Sequence, residues 1–176
     1  MAESELSDDC SLVRMVWSPR CFDDNKPTAA CFDSKDLMPD KDQHGRFRYV
    51  SADCEAEIIK TAVDTRIAWQ TRGDLQVKER RAEARFLRLL TGDLRNLPEK
   101  DEDGRGPIVV ERDPTAADPD KGMPANSAHC AIKNISNKSR TDNVAENRKY
   151  VDYLRKELLK IIKENMSYQE LFKREC

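Results

Sequence analysis

The chain has 176 residues, 31 of them Lys or Arg and 33 Asp or Glu, for a net charge of −2. That length suits one domain, and so even a balance supplies no global positive field to draw in nucleic acid or an anionic membrane. No run approaches the ~20 apolar residues of a membrane helix, and six cysteines with no C-x-x-C, helped only by His44 and His129, outline no zinc site.

Residues 1–10, MAESELSDDC, form an acidic leader without the features of a secretory signal, so reduced thiols and a cytoplasmic location are expected. The domain proper is expected over 11–176. LVRMVW (12–17) is apolar and β-branched, the pattern of a short strand that Ser18-Pro19 ends. DDNKP (23–27) signals a turn, TAACF (28–32) a second short strand, and 35–45 a polar loop. RFRYVS (46–51) alternates, with Phe47, Tyr49 and Ser51 on one face.

The period then changes. Over 53–72, Ile58, Ile59, Ala62, Val63 and Ile67 fall at helical spacing, with Asp53 as N-cap and Arg72-Gly73 as the stop. A second helix is predicted over 75–90, with Asp74 and Gly92 at its ends and Ala82, Phe86, Leu89 and Leu90 as its buried stripe. The Arg and Lys residues crowded into 78–95 and 133–163 are balanced by neighbouring acids, as on a solvated helical face.

The centre is irregular, broken by strands predicted at 107–111 (PIVVE) and 128–133. Val144, Val151, Leu154, Leu158 and Ile161 then give an apolar seam to a helix over 142–165, and the S-x-x-E box at 167–170 starts a short final helix over 168–174. Strands, helices, strands and helix in this order make an α+β fold. The expected architecture is a small mixed sheet with helices packed on one face and an amphipathic C-terminal helix. No Gly-rich phosphate loop is present.

PANSAHCAI (124–132) sets His129 beside Cys130. Neighbours in a strand point to opposite faces, so His129 cannot activate Cys130. The expectation is a small buried Cys130 and a half-exposed His129. A Cys–His nucleophile would need His44 for Cys130, or another cysteine for His129.

Two resemblances follow from these pieces. LVRMV with Arg14, the stretch from Pro27 to Phe32, Tyr49 to Asp53, and Asn126 to Ala131 together resemble a group of small bacterial proteins. That group carries "LSVD" and "NPAHA" patterns and often lies near mobile or phage-defence genes. The chain departs from it at Ser127, where the group has proline, and in the insert 53–95. The resemblance implies a non-catalytic subunit or regulator in a bacterial multiprotein system. Its partner would be another protein of that system, with no cofactor, and Val151, Leu154, Leu158 and Ile161 are the candidate partner-binding residues unless they serve the chain's own core.

More distantly, Arg14, then Tyr49 and Ser51, then Glu111 are similar in order to the site residues of RES-type ADP-ribosyltransferase-like domains. That resemblance implies an NAD-consuming toxin or effector. Arg14 would hold a phosphate or ribose of NAD, Ser51 would support the nicotinamide half, and Glu111 would stabilise the oxocarbenium-like ribose.

Overall fold

A computed structural model describes residues 6–18, 20–39, 45, 48–70 and 77–173. Phe47, His44, the Arg72-Gly73 stop, the Asp74 cap and the first half of the acidic leader lie outside them. The fold is α+β. Among the described residues, six strands form one sheet in the order β6 (Ile108–Arg112), β7 (His129–Asn134), β4 (Val50–Cys54), β1 (Ser11–Trp17), β5 (Ala84–Leu90), β8 (Glu164–Ser167), every pair antiparallel.

Ser11–Trp17 is β1, and the turn signal at 23–27 becomes a two-residue hairpin, β2 (Phe22–Asp23) with β3 (Lys26–Pro27). Its corner places Asp24 and Asn25 at positive φ, which these residue types tolerate. TAACF is not a strand. Ala29–Cys31 is a 3₁₀ turn whose N-cap Thr28 accepts from the Ala30 amide at 3.3 Å, so local capping wins over β-propensity.

β4 is Val50–Cys54, later than the strand expected at 46–51, because Ala52 and Asp53 find partners in β7. Asp53 is therefore a strand residue and caps no helix. A 3₁₀ turn follows, and helix α1 begins only at Lys60, running Lys60–Trp69.

The second predicted helix divides. Val77–Glu83 is α2, but Ala84–Leu90 is strand β5. ARFLRLL sits beside β1, with Leu87 and Leu89 buried on one face of the sheet and Ala84 and Phe86 on the other. A strand covered on both faces loses its alternation and so imitates a helical stripe. Gly92 accordingly caps no long helix; it lies within the short helix α3, Thr91–Arg95.

Ile108–Arg112 is β6 and His129–Asn134 is β7. Helix α4 runs Val144–Lys160, capped by Asn143, whose side chain accepts from Ala145 N and Glu146 N. Its predicted tail is instead β8, Glu164–Ser167, which pairs with β5 from Arg85 to Arg88. The capping box then starts α5, Tyr168–Phe172.

Two apolar layers hold the sheet. On one face Val151, Leu154 and Leu158 of α4 pack over Leu12, Val50, Leu87, Ile132 and Val110. On the other, Val63 and Ile67 of α1 and Leu171 of α5 cover Val13, Phe86 and Met166. The helices thus supply a main cover from α4 and a smaller opposing one.

Candidate functional site

β1 pairs with β5 along its whole length but with β4 only at Leu12↔Cys54 and Val13↔Asp53. Beyond Val13 the two strands part, and backbone groups along the fork lose their ladder partners. A buried carbonyl left so would cost free energy comparable to a lost hydrogen bond.

Arg14, the first residue of β1 past the fork, supplies the missing donors. Its Nε donates to the Cys31 carbonyl at 2.8 Å and its Nη1 to the Ser51 carbonyl at 2.9 Å, with the Phe32 ring 5.7 Å away. Burial pulls the guanidinium's pKa below its ordinary value, while Asp36, Cys21, Cys31 and Asp33 pull it back. The group remains charged.

On the other side of Ser51 stands His129. Its Nε2 is 2.7 Å from Ser51 Oγ, and its Nδ1 is 2.7 Å from the Asp113 carbonyl oxygen. A carbonyl only accepts, so Nδ1 carries the proton, and in the neutral ring Nε2 accepts from the Ser51 hydroxyl. Tyr49 meets the imidazole edge-on at 5.6 Å. His129 is 5% exposed, so it is a buried group and not the half-exposed residue expected from its strand position alone. Cys130 does turn to the opposite face, where it is buried.

A second chain of polar groups runs beside the first. Asp53, also buried, takes Arg66 Nη2 at 3.1 Å and Asn126 Nδ2 at 2.8 Å, and Asn126 Oδ1 accepts from the Ala128 amide at 3.2 Å. Two cavities open on this ground, and Ser51 and Arg66 line both. One, of about 270 Å³, adds Arg14, Arg20, Cys21 and Cys31; the other, of about 390 Å³, adds His129, Asn126, Trp69, Met123 and Pro124.

Of the three residues in the ADP-ribosyltransferase-like reading, the structure brings two together. Glu111 stands in register with Ala131 and, through it, with Ser51, two strands away. That is about 10 Å between backbones at ordinary strand spacing. Its exposed carboxylate is bound by Lys133, so it does not complete the Arg14–Ser51 site. The α4 seam lies inward except at its first residue, Val144, which is exposed: Val151, Leu154 and Leu158 are at most 1% exposed on the chain's own sheet, with Ile161 half-buried against the same cluster.

What reasoning from the sequence missed is His129 as the partner of Ser51, together with Asp53, Arg66 and Asn126. Strand alternation already puts Ser51 and Asp53 on one face of β4, and His129 on one face of β7. The pairing of β4 with β7 is the further fact that joins them.

Among the described residues no group of three or more His, Cys, Asp or Glu is placed to hold a metal ion. None of their helices is long and apolar enough to cross a membrane. Comparison with protein-family models, with curated proteins and with solved structures gave no match.

Proposed function

We propose that the chain is an enzyme acting on a phosphorylated nucleotide of the NAD type, with the fork between β1 and β4 as its cleft. One observation carries this reading: Arg14 and His129 converge on Ser51, from opposite sides, where two cavities meet. Arg14, Arg20 and Arg66 line the first cavity together with Asp33 and Asp36, three guanidiniums against two carboxylates, which leaves a positive balance for a phosphate. The second, with the Trp69 ring beside Met123 and Pro124, suits a flat, largely apolar ring.

Between them His129 Nε2 is placed to accept the Ser51 proton, or that of a water in its stead, which is the general-base half of a transfer or hydrolysis. Glu111 has no role in this version. A non-catalytic subunit of a bacterial multiprotein system remains supported by the resemblance to the small bacterial proteins, but its surface would have to be other than the α4 seam.

The test is titration with NAD and ADP-ribose by calorimetry, together with chromatographic measurement of NAD loss. Saturable binding that Arg20→Ala weakens at least tenfold, turnover that His129→Ala abolishes, and full activity in Glu111→Gln are the expected results. No binding and no NAD loss with the wild-type protein would remove this reading.

A further inference from the structure

Two thiols touch at the closed end of the β1–β4 fork, outside the groups the proposed reaction uses. Cys10, the residue before β1, and Cys54, the last of β4, bring their Sγ atoms to 3.4 Å. The Ser11 carbonyl is farther from Cys10 Sγ, at 3.8 Å. The other buried thiols turn to carbonyls instead: Cys21 Sγ to Ala30 O at 3.5 Å, Cys31 Sγ to Cys21 O at 3.1 Å, and Cys130 Sγ to Ala128 O at 3.4 Å.

The backbone holds both sulfurs where they are. Cys10 N donates to the Ser7 carbonyl at 3.0 Å, and the Cys10 carbonyl accepts from Thr91 N at 3.0 Å and Thr91 Oγ1 at 3.1 Å. Cys54 N donates to the Ala128 carbonyl at 2.8 Å, and Cys54 faces Leu12 across the strand pair. Groups held in contact react as if at high concentration. A disulfide needs about 2.05 Å between sulfurs, so closure draws them in by roughly 1.4 Å from the 3.4 Å contact. Cys54 is 3% exposed while Cys10 is half-buried, so a reagent from solution meets Cys10 first.

We propose that Cys10 and Cys54 form a thiol–disulfide exchange site that takes a small-molecule disulfide of the glutathione type and closes into an internal cross-link. The Cys10 thiolate attacks one sulfur of that disulfide; the old S–S bond breaks, a mixed disulfide forms on Cys10, and one small thiolate leaves. Cys54, giving up its proton, then attacks Cys10 Sγ and displaces the second small thiolate. The two protein sulfurs lose two electrons in all, the reagent's two sulfurs gain them, and the two protons pass to the released thiolates.

The cross-link lies where it would matter to the fork. β1 and β4 are paired only at Leu12↔Cys54 and Val13↔Asp53, and the new bond would pin that junction from residue 10. Its ends are 44 residues apart, so it also restricts the unfolded chain. This holds whether or not the cleft takes a nucleotide. Burial, then the hydrogen bond and charge of Cys54, push the Cys10 thiol up to about 11, against a hydrogen bond with Thr91 and the charge of Arg112. Exchange at Cys10 should therefore quicken about tenfold per pH unit from pH 7 to pH 9.

The experiment incubates the reduced full chain with oxidised glutathione, quenches by alkylation, and maps the products by mass spectrometry. A Cys10–Cys54 cross-linked peptide should dominate, at a rate that climbs from pH 7 to pH 9. In Cys54→Ser, Cys10 should halt as the glutathione mixed disulfide. The oxidised wild type should unfold at higher urea than the reduced chain, and Cys10→Ser should show no such difference. Cross-links other than Cys10–Cys54 dominating, Cys10 and Cys54 both remaining free, or a rate level across that pH range would overturn the proposal.

Discussion

His129 and Ser51 touch across the β4–β7 pair as diagonal neighbours. The register sets Ser51 against Ala131 and Asp53 against His129, so the imidazole leans back along the strand to bring Nε2 within 2.7 Å of Ser51 Oγ. Diagonal positions on one face of an antiparallel pair are ~7–8 Å apart, within reach of a ring but not of a short side chain. The Asp113 carbonyl at the other ring nitrogen fixes that tilt. The contact therefore depends on three strands at once, β4, β7 and the end of β6.

Removing the ring should therefore cost more than removing the hydroxyl. His129→Ala leaves both the Ser51 hydroxyl and the Asp113 carbonyl without their partner in a part-buried place, and a loss of about 1–3 kcal/mol is expected. Ser51→Ala deletes only one donor and should cost about 1 kcal/mol. Urea unfolding of the two variants gives the comparison, and a larger effect for Ser51→Ala would show that the hydrogen-bond pattern has been misread.

Arg14→Lys is expected to behave as a drastic change. The two carbonyls Arg14 bridges belong to residues 31 and 51, and the planar guanidinium reaches both from one position. An ammonium on a flexible stem offers a single donor centre and no fork. Losing one charge-assisted bond at a buried site should lower stability by about 1.5–3 kcal/mol, read by denaturant unfolding. Tightened packing without loss of stability would mean the fork closes by itself.

How far the sequence showed this in advance depended on what decided each element. β1 and β6 were legible as short β-branched runs bounded by turn signals, and β7 by its alternation. Residues 84–90 were not, because burial on both faces erased the alternation and Ala82, Phe86, Leu89 and Leu90 happened to fall at helical spacing. The strand 164–167 was hidden for another reason, since its identity comes from pairing with β5, a long-range fact. For the site, Arg14 and Ser51 were named only through the order they share with the site residues of ADP-ribosyltransferase-like domains. Their convergence with His129 was not legible, because nothing local to 128–133 says which strand lies beside it.

The α4 seam gives a graded test of packing. Leu154 has no exposed surface and sits in the main apolar cluster, whereas Ile161 is half-buried at the helix C-cap. Leu154→Ala should cost about 2–5 kcal/mol, the range for deleting a core leucine. Ile161→Ala should cost visibly less, since part of its surface already meets water. Equal, small effects in thermal unfolding would mean that the seam is not core.

The opposite face is joined by a carboxylate, and its loss in acid should be measurable. Asp64 of α1 accepts from the Tyr168 hydroxyl of α5 at 2.5 Å and pairs with Lys60 at 3.1 Å and with Arg81 of α2 at 3.2 Å. Burial by itself would raise the Asp64 pKa. The hydrogen bonds from Tyr168 and Lys60 and the charges of Arg81 and Lys60 outweigh it, so the folded value lies below the ordinary one. A depressed carboxylate pKa means that the folded state holds its proton less tightly than the unfolded chain. The stabilisation is thus fully present above the unfolded value, ~3.9, and is lost as pH falls toward the lower folded value. Tyr168→Phe keeps the ring against Phe86 and Phe172 but removes one of the donors holding the charged form. Unfolding measured from pH 7 to pH 2 should show the wild type losing stability more steeply below pH ~4 than the Phe variant, with the gap between them narrowing as Asp64 is protonated. A gap that widened in acid would reverse the sign assigned to Asp64 and with it the account of how α1 and α5 are joined.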